Sequence, residues 1–403
     1  MLPIERTVAQ GSFRWLLGVV GLAGAFWVLV LLIGRFDWTY GPQRGLLVGL
    51  ALLATPAMMH LAARRTAYHP AGFISVLLMV CLVGATGHTI YFFQQLHARD
   101  LTDIATTTLA AGDALLVGHN PYRSLIDPQP APFQEHATYS GYKYLPLMAL
   151  IYAPLGSTWR EQGLLATNLL LDGITTLLIG LVGTRAAGRA AGVFAMSLYL
   201  LLPLVPLELF RFGVTDLAAL VPILIALLCL DRRPGLAGFW LGLSLSTKLL
   251  PALALVLCCV PPNGRRRYIA GLAVGLGPAL LFFALSPEAF WSNIVLFNLD
   301  RPIDPTHWLY GQSASLSWIV RCATAALLLV VGVEVWRTPP SLLDRCGFAV
   351  MCILSTILSG PVSHRNYQLW WIPLGVVLVA AAVLGCGARP AQACQTRCST
   401  NIL

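Results

Sequence analysis

The sequence predicts an all-α, polytopic membrane protein with about twelve transmembrane helices. Three observations carry this prediction. Hydrophobic residues make up 57% of the chain and charged ones only 11%, with a mean hydropathy of +0.74, and water does not solvate so apolar a surface. The apolar residues fall in runs of membrane length: Trp15 to Gly34 is long enough to cross a hydrocarbon core of ~30 Å at about 1.5 Å per residue. No strand-length alternation of apolar and polar residues is present, and a backbone in lipid must satisfy its own hydrogen bonds. Helices are what remains.

Apolar runs occur near 15–34, 45–62, 71–93, 163–183, 190–205, 214–230, 235–247, 251–262, 268–285, 313–335, 346–360 and 367–387. The first is too long for a signal-peptide core and lacks a small-residue cleavage site before Arg35, so it reads as a retained span. Basic loops prefer the cytoplasm, which places Arg64/Arg65, Arg185/Arg189, Arg232/Arg233 and Arg265 to Arg267 inside, together with both termini. That demand excludes one further apolar run, Tyr142 to Gly156, from spanning. The run is short and holds Pro146 and Pro154, so it is expected to lie on, or dip into, the outer face. Between Arg232 and Arg267, Lys248 and Pro251 mark the meeting of two short helices, which puts the lysine at the outer interface, away from a bilayer centre costly to its charge.

Four regions follow: 1–93, N-terminal spans with an additional hairpin; 94–156, a large outer loop with surface helices; 157–388, the transmembrane core; and 389–403, a cytoplasmic tail. The net charge of +9 is spread over short loops and builds no continuous basic face for nucleic acid. The ten cysteines lie in apolar runs or the tail without zinc-ligand spacing, so neither a structural zinc site nor a disulfide framework is expected.

The outer loop carries the densest charge. Residues 101–117 read as a surface helix whose Ile104, Thr108, Ala111 and Leu115 make one apolar face, stopped at Gly118 before Pro121. Asp100 and Asp103 suit two roles at its start: caps for the first free amides, or a general base for an acceptor hydroxyl. Asp113 falls on the solvated face. Cations that could neutralise an anionic leaving group are Lys248, Arg211, Arg301, His307, His364 and Arg365. For Arg211 and Arg301 simple interfacial snorkelling is the competing reading. Trp291, Trp308 and Trp318 read as interfacial belt residues.

Four segments in order resemble the GT-C superfamily of integral-membrane glycosyltransferases, most closely glycosyltransferase family 87, over about Asp100 to Pro373. Asp103 precedes "GHNPY"; "YLPLMALIYAPL" opens a surface helix; "GFWLGLSLSTKLLP" ends a Gly-rich helix in Lys-x-x-Pro; "SGPVSHRNYQLWWIPL" is a late break before a span. Each segment is weak alone, and their order is the specific signal. The resemblance implies a GT-C-like fold and inverting transfer of a sugar from a polyprenyl-phosphate donor to a lipid or envelope-glycan acceptor. Mannose is the default sugar, with arabinose or another pentose as alternatives.

By carry-over, Asp103 is the base and Asp100 the reserve. Lys248, His364, Arg365, Arg211, Asn120, Tyr122, Tyr144, Asp216 and His307 bind donor phosphate or sugar. No cofactor is certain, and assistance by a divalent metal stays open. The active site would face outward from the plasma (inner) membrane. Two departures concern substrate identity: Thr107 stands where the family commonly has tyrosine, and "GVTD" puts Asp216 at an asparagine position. The competing class is a multi-pass transporter or lipid flippase, expected to show ionisable groups near the midplane on broken helices in repeated halves.

Overall fold

The computed structural model describes residues 70–97, 101–126, 140–249, 252, 255–256, 259–261, 263–300, 314–338, 340–360 and 365–385. The expected N-terminal hairpin, Asp100, Arg301, His307, Trp308, His364 and the cytoplasmic tail lie outside the described residues, as does the side chain of Arg365.

Every described element is helical. Four helices are long and apolar enough to cross a membrane, or six if each of two bent pairs counts as one span. The chain is therefore an α-helical membrane protein with four to six candidate spans among the described residues, fewer than the twelve or so expected. Part of the shortfall is physical: Leu217–Cys229, Pro234–Leu245 and Ile372–Leu384 are apolar but short.

The Cα positions divide into two compact units. In the first, α1 (Pro70–Gln95) packs on α4 (Arg189–Leu200). A Cβ on Gly84 would come within 2.7 Å of Leu200 Cβ, and the Ser197 hydroxyl donates to Leu77 O at 3.1 Å. Small residues and a buried hydroxyl provide close approach where lipid offers no hydrophobic drive between helices.

The second unit comprises 95–178 and 208–374. Helix α2 (Asp103–Leu116) confirms the amphipathic reading: Ile104, Thr108 and Ala111 are buried, Leu115 is half-buried, and Gly118 ends the helix region at φ +78°. The capping expectation holds in part, since Asp103 accepts from one of the first free amides but is not itself the cap residue. Thr102 is the cap residue, without a side-chain cap bond, while Asp103 sits in the first turn and accepts from Ile104 N at 2.9 Å. Asp113 is paired with exposed Arg160 at the protein surface.

Helix α3 (Pro146–Ala187) breaks at Arg160, which adopts φ 52°, so the proline-bearing segment and the following span are separate helices folded against each other. Tyr152 and Asn168 prove the fold-back, since sixteen residues of straight helix would hold them about 24 Å apart, yet the Tyr152 hydroxyl donates to Asn168 Oδ1 at 2.6 Å. Asn168 Nδ2 in turn donates to Leu209 O at 2.8 Å and Val214 O at 3.0 Å. Those carbonyls belong to an irregular stretch. After α5 (Leu204–Pro206) the chain runs through a π-helical turn, Leu207–Arg211, and past Gly213 at φ +64° into α6 (Leu217–Cys229).

Helices α7 (Pro234–Leu245) and α8 (Arg265–Gly275) form the tightest crossing. Each carries a Gly-x-x-x-Gly pair, Gly238/Gly242 and Gly271/Gly275. A Cβ would lie 2.0 Å from Tyr268 O at Gly238, 2.4 Å from Leu272 O at Gly242, 1.9 Å from Gly235 O at Gly271 and 2.1 Å from Phe239 O at Gly275. The two backbones touch, and nothing larger than glycine fits. Ser246 Oγ, just past α7, donates to Gly275 O at 3.0 Å, and Ser244 Oγ donates to Ala219 O of α6 at 2.7 Å.

Beyond α9 (Gly277–Leu285), helix α10 (Pro287–Trp291) leads through a second π-helical turn to α11 (Phe297–Asp300). Helices α12 (Ala314–Arg337) and α13 (Leu342–Ser359) pair antiparallel, with half-buried Arg321 donating to Ser359 O at 3.3 Å and Thr324 to Ser355 O at 3.1 Å. Ser341 and Asp344 start α13 with a capping box. A 3-10 turn, Arg365–Trp370, precedes α14 (Ile372–Gly385). Trp291 and Trp318 are exposed, as belt residues would be.

Candidate functional site

Three anchors bring distant segments of the second unit to one place. The start of α2 is tied to the stretch after the π-helical turn, because Thr102 N and Oγ1 both donate to Phe212 O, at 2.9 and 3.0 Å. Gly213 suits the turn there: its φ of +64° is strained for any residue with a side chain, and a Cβ would also crowd Leu101. The start of α3 is tied to the end of α7 by Leu147 N donating to Ser246 O at 3.0 Å. The loop before α3 is held against α10 and its π-helical turn, where Asn293 accepts from Gly141 N at 3.0 Å and Arg123 Nε donates to Ser286 Oγ at 2.8 Å.

These anchors enclose a cavity of about 310 Å³ whose lining includes Asp103, Lys143, Tyr144, Lys248, Tyr367 and Trp370. Asp103 reaches it from the first turn of α2 as an exposed carboxylate. On the same helix, Thr107 donates to the Asp103 backbone carbonyl at 2.6 Å and so braces the first turn locally.

Lys248 lines the same cavity. Its residue is 9% exposed, and Nζ is ion-paired with Asp216 Oδ1. Burying such a pair is favourable only if the remaining lone pairs are also satisfied. Here they are: Trp370 Nε1 donates to the same oxygen and Asn366 Nδ2 donates to Oδ2 at 3.0 Å. Three rings surround the ammonium, with centroids 5.0 Å away for Trp370, 5.7 Å for Tyr367 and 5.8 Å for Tyr144, within cation–π range. Tyr367 and Trp370 are themselves stacked, centroids 4.4 Å apart at 28°.

The expected site residues thus separate. Asp103, Lys248 and Tyr144 line one cavity. Asp216, expected to bind donor phosphate or sugar, is fully buried, is not part of the cavity lining and is ion-paired with Lys248. Tyr122 does not line this cavity. It is 2% exposed, packs on Phe282 and Phe290, and donates to Tyr144 O at 2.8 Å. Asn120 shapes the turn by accepting from Tyr122 N at 3.0 Å. The "GHNPY" element is therefore a support for Tyr144. Arg211 ends the π-helical turn, lies over Phe212 and is not part of the cavity lining. Lys248 is buried beside Asp216, so the carboxylate stands where water would otherwise solvate its charge.

Burial and the neighbouring Tyr142 raise the Tyr122 phenol well above its ordinary value, and burial likewise raises Tyr142, in part offset by its hydrogen bond with Thr108. Among the described residues, no three His, Cys, Asp or Glu side chains gather to hold a metal ion.

Sequence reasoning did not single out Lys143, Asn366, Tyr367 or Trp370. The run "NYQLWW", polar and aromatic at the foot of a span, was the available signal. Comparison with protein-family models, with curated proteins and with solved structures finds no match to this chain.

Proposed function

We propose that the protein is a membrane glycosyltransferase that moves a sugar, mannose by default, from a polyprenyl-phosphate donor to a lipid or envelope-glycan acceptor. Transfer occurs on the outer face of the plasma membrane, in a chain of about twelve spans with both termini cytoplasmic. The observation that supports this reading is the shared cavity: an exposed carboxylate, Asp103, and a buried ammonium, Lys248, line one aromatic-walled space. Its volume of about 310 Å³ falls at the lower end of small-molecule sites.

In this mechanism the acceptor hydroxyl gives its proton to an Asp103 carboxylate oxygen as its own oxygen bonds to the anomeric carbon. The bond from that carbon to the phosphate oxygen breaks on the opposite face. Its electron pair leaves with the polyprenyl phosphate, beside Lys248, and the anomeric configuration inverts. Purified protein in lipid discs, supplied with short-chain polyprenyl-phosphate sugars and membrane glycolipids, is expected to transfer sugar. Asp103→Asn is expected to lower transfer by a factor of about 10² or more while binding of the donor persists. An active preparation in which that variant keeps full activity sinks the assignment.

A transporter or flippase is the second reading, favoured by the buried Asp216–Lys248 pair and buried Asp172. It predicts lipid-linked sugar flux across vesicles without any transferred product.

A further inference from the structure

Lysine is a flexible, strongly hydrated point charge, and a free one would have to be ordered and dehydrated each time an anion arrived. Lys248 is already ordered. Asp216 Oδ1 holds its Nζ, three ring faces crowd it, and Trp370 and Asn366 fix the Asp216 carboxylate from behind. Asp216 in turn follows the stretch clamped by Asn168 and Thr102, so its place is set by hydrogen bonds from α2 and α3.

We propose that Asp216, braced by Trp370 and Asn366, is a positioning residue that pre-orders Lys248 to recognise the phosphate monoester product in preference to the phosphodiester donor. An ammonium has three N–H bonds, and one points to Asp216, leaving donors for the cavity. The charge on the polyprenyl-linked phosphate grows from about one to nearly two as the sugar departs. A cation held rigidly gains more from that growth than one that must reorganise. This inference rests on the glycosyl-transfer reading, through the identity of the phosphate.

The test uses the full chain in lipid discs and isothermal titration with two probes, a short-chain polyprenyl monophosphate and its methyl phosphodiester. Wild type is expected to prefer the monoester. Asp216→Asn and Trp370→Phe, the latter keeping a ring but losing the N–H, are each expected to cut that preference about tenfold, and Lys248→Met to remove it. Asp216→Glu should restore most of it. A merely structural role would lower the folded fraction without changing the ratio of the two affinities. If Asp216→Asn does not fold, Trp370→Phe and Asn366→Leu carry the test. Unchanged preference in the folded variants overturns the inference, as does a wild type that does not discriminate. A shifted preference in a protein that transfers no sugar supports the positioning role and counts against the transferase reading alone.

Discussion

Tyr152 donates its hydroxyl hydrogen to Asn168 at 2.6 Å across a helix break at Arg160. The same amide closes two backbone carbonyls of the stretch leading to Asp216, so one buried side chain joins the proline-bearing helix, the adjoining helix and the site. Asn168→Leu strands these partners, each buried polar group costing about 1–3 kcal/mol. A lowered thermal midpoint of the purified protein, accompanied by weaker binding of polyprenyl monophosphate, is the expected result.

The crossing of α7 and α8 has no room for side chains at Gly238, Gly242, Gly271 or Gly275. Gly242→Leu or Gly271→Val must push two backbones apart, and with them Ser246 and Lys248. Loss of folded protein in detergent, seen as aggregation in size-exclusion chromatography, is expected for both. Gly118→Ala is the comparison at a position with open space around its Cα. Its cost is confined to a positive φ, on the order of 1 kcal/mol.

Two aspartates of α2 should behave oppositely. Asp103→Asn removes the carboxylate that lines the cavity and is expected to lower transfer by a factor of about 10² or more. Asp113→Asn only loosens an exposed ion pair with Arg160, a change worth about 0–1 kcal/mol. Its transfer rate should match wild type in the same assay.

Alkaline pH provides a fourth check. The folded Tyr122 and Tyr142 phenols are raised above their ordinary value of 10.0 by burial, whereas the unfolded chain ionises near that value. Stability from each is therefore complete below about pH 10 and lost as pH rises above it, by up to about 1.4 kcal/mol per pH unit per group. Tyr142→Phe should flatten that loss in denaturation experiments across pH 9 to 11, a window set by the same ordinary value.

The amphipathic helix α2 was legible because its apolar positions recur at helical spacing and its stop is a glycine. The separation of Tyr142–Gly156 from the next span was legible too, from loop charge and two prolines, and Arg160 is where the chain turns. Asp103 and Lys248 could be nominated by residue type. Asp216 was nominated as a donor contact and the structure places it against Lys248, a placement not legible beforehand because spacing along the chain does not say whether a carboxylate faces a cavity or a lysine.

By itself, the sequence determined that this chain is helical and membrane-embedded, because hydropathy and the hydrogen-bonding demand of lipid act on each segment locally. Only the tertiary structure decided that Lys248, from the end of α7, is held by Asp216 at the start of α6 and by Trp370, more than a hundred residues later. A buried charge is compensated by partners in space, and which partners reach it depends on how glycine crossings and buried amides dock the helices.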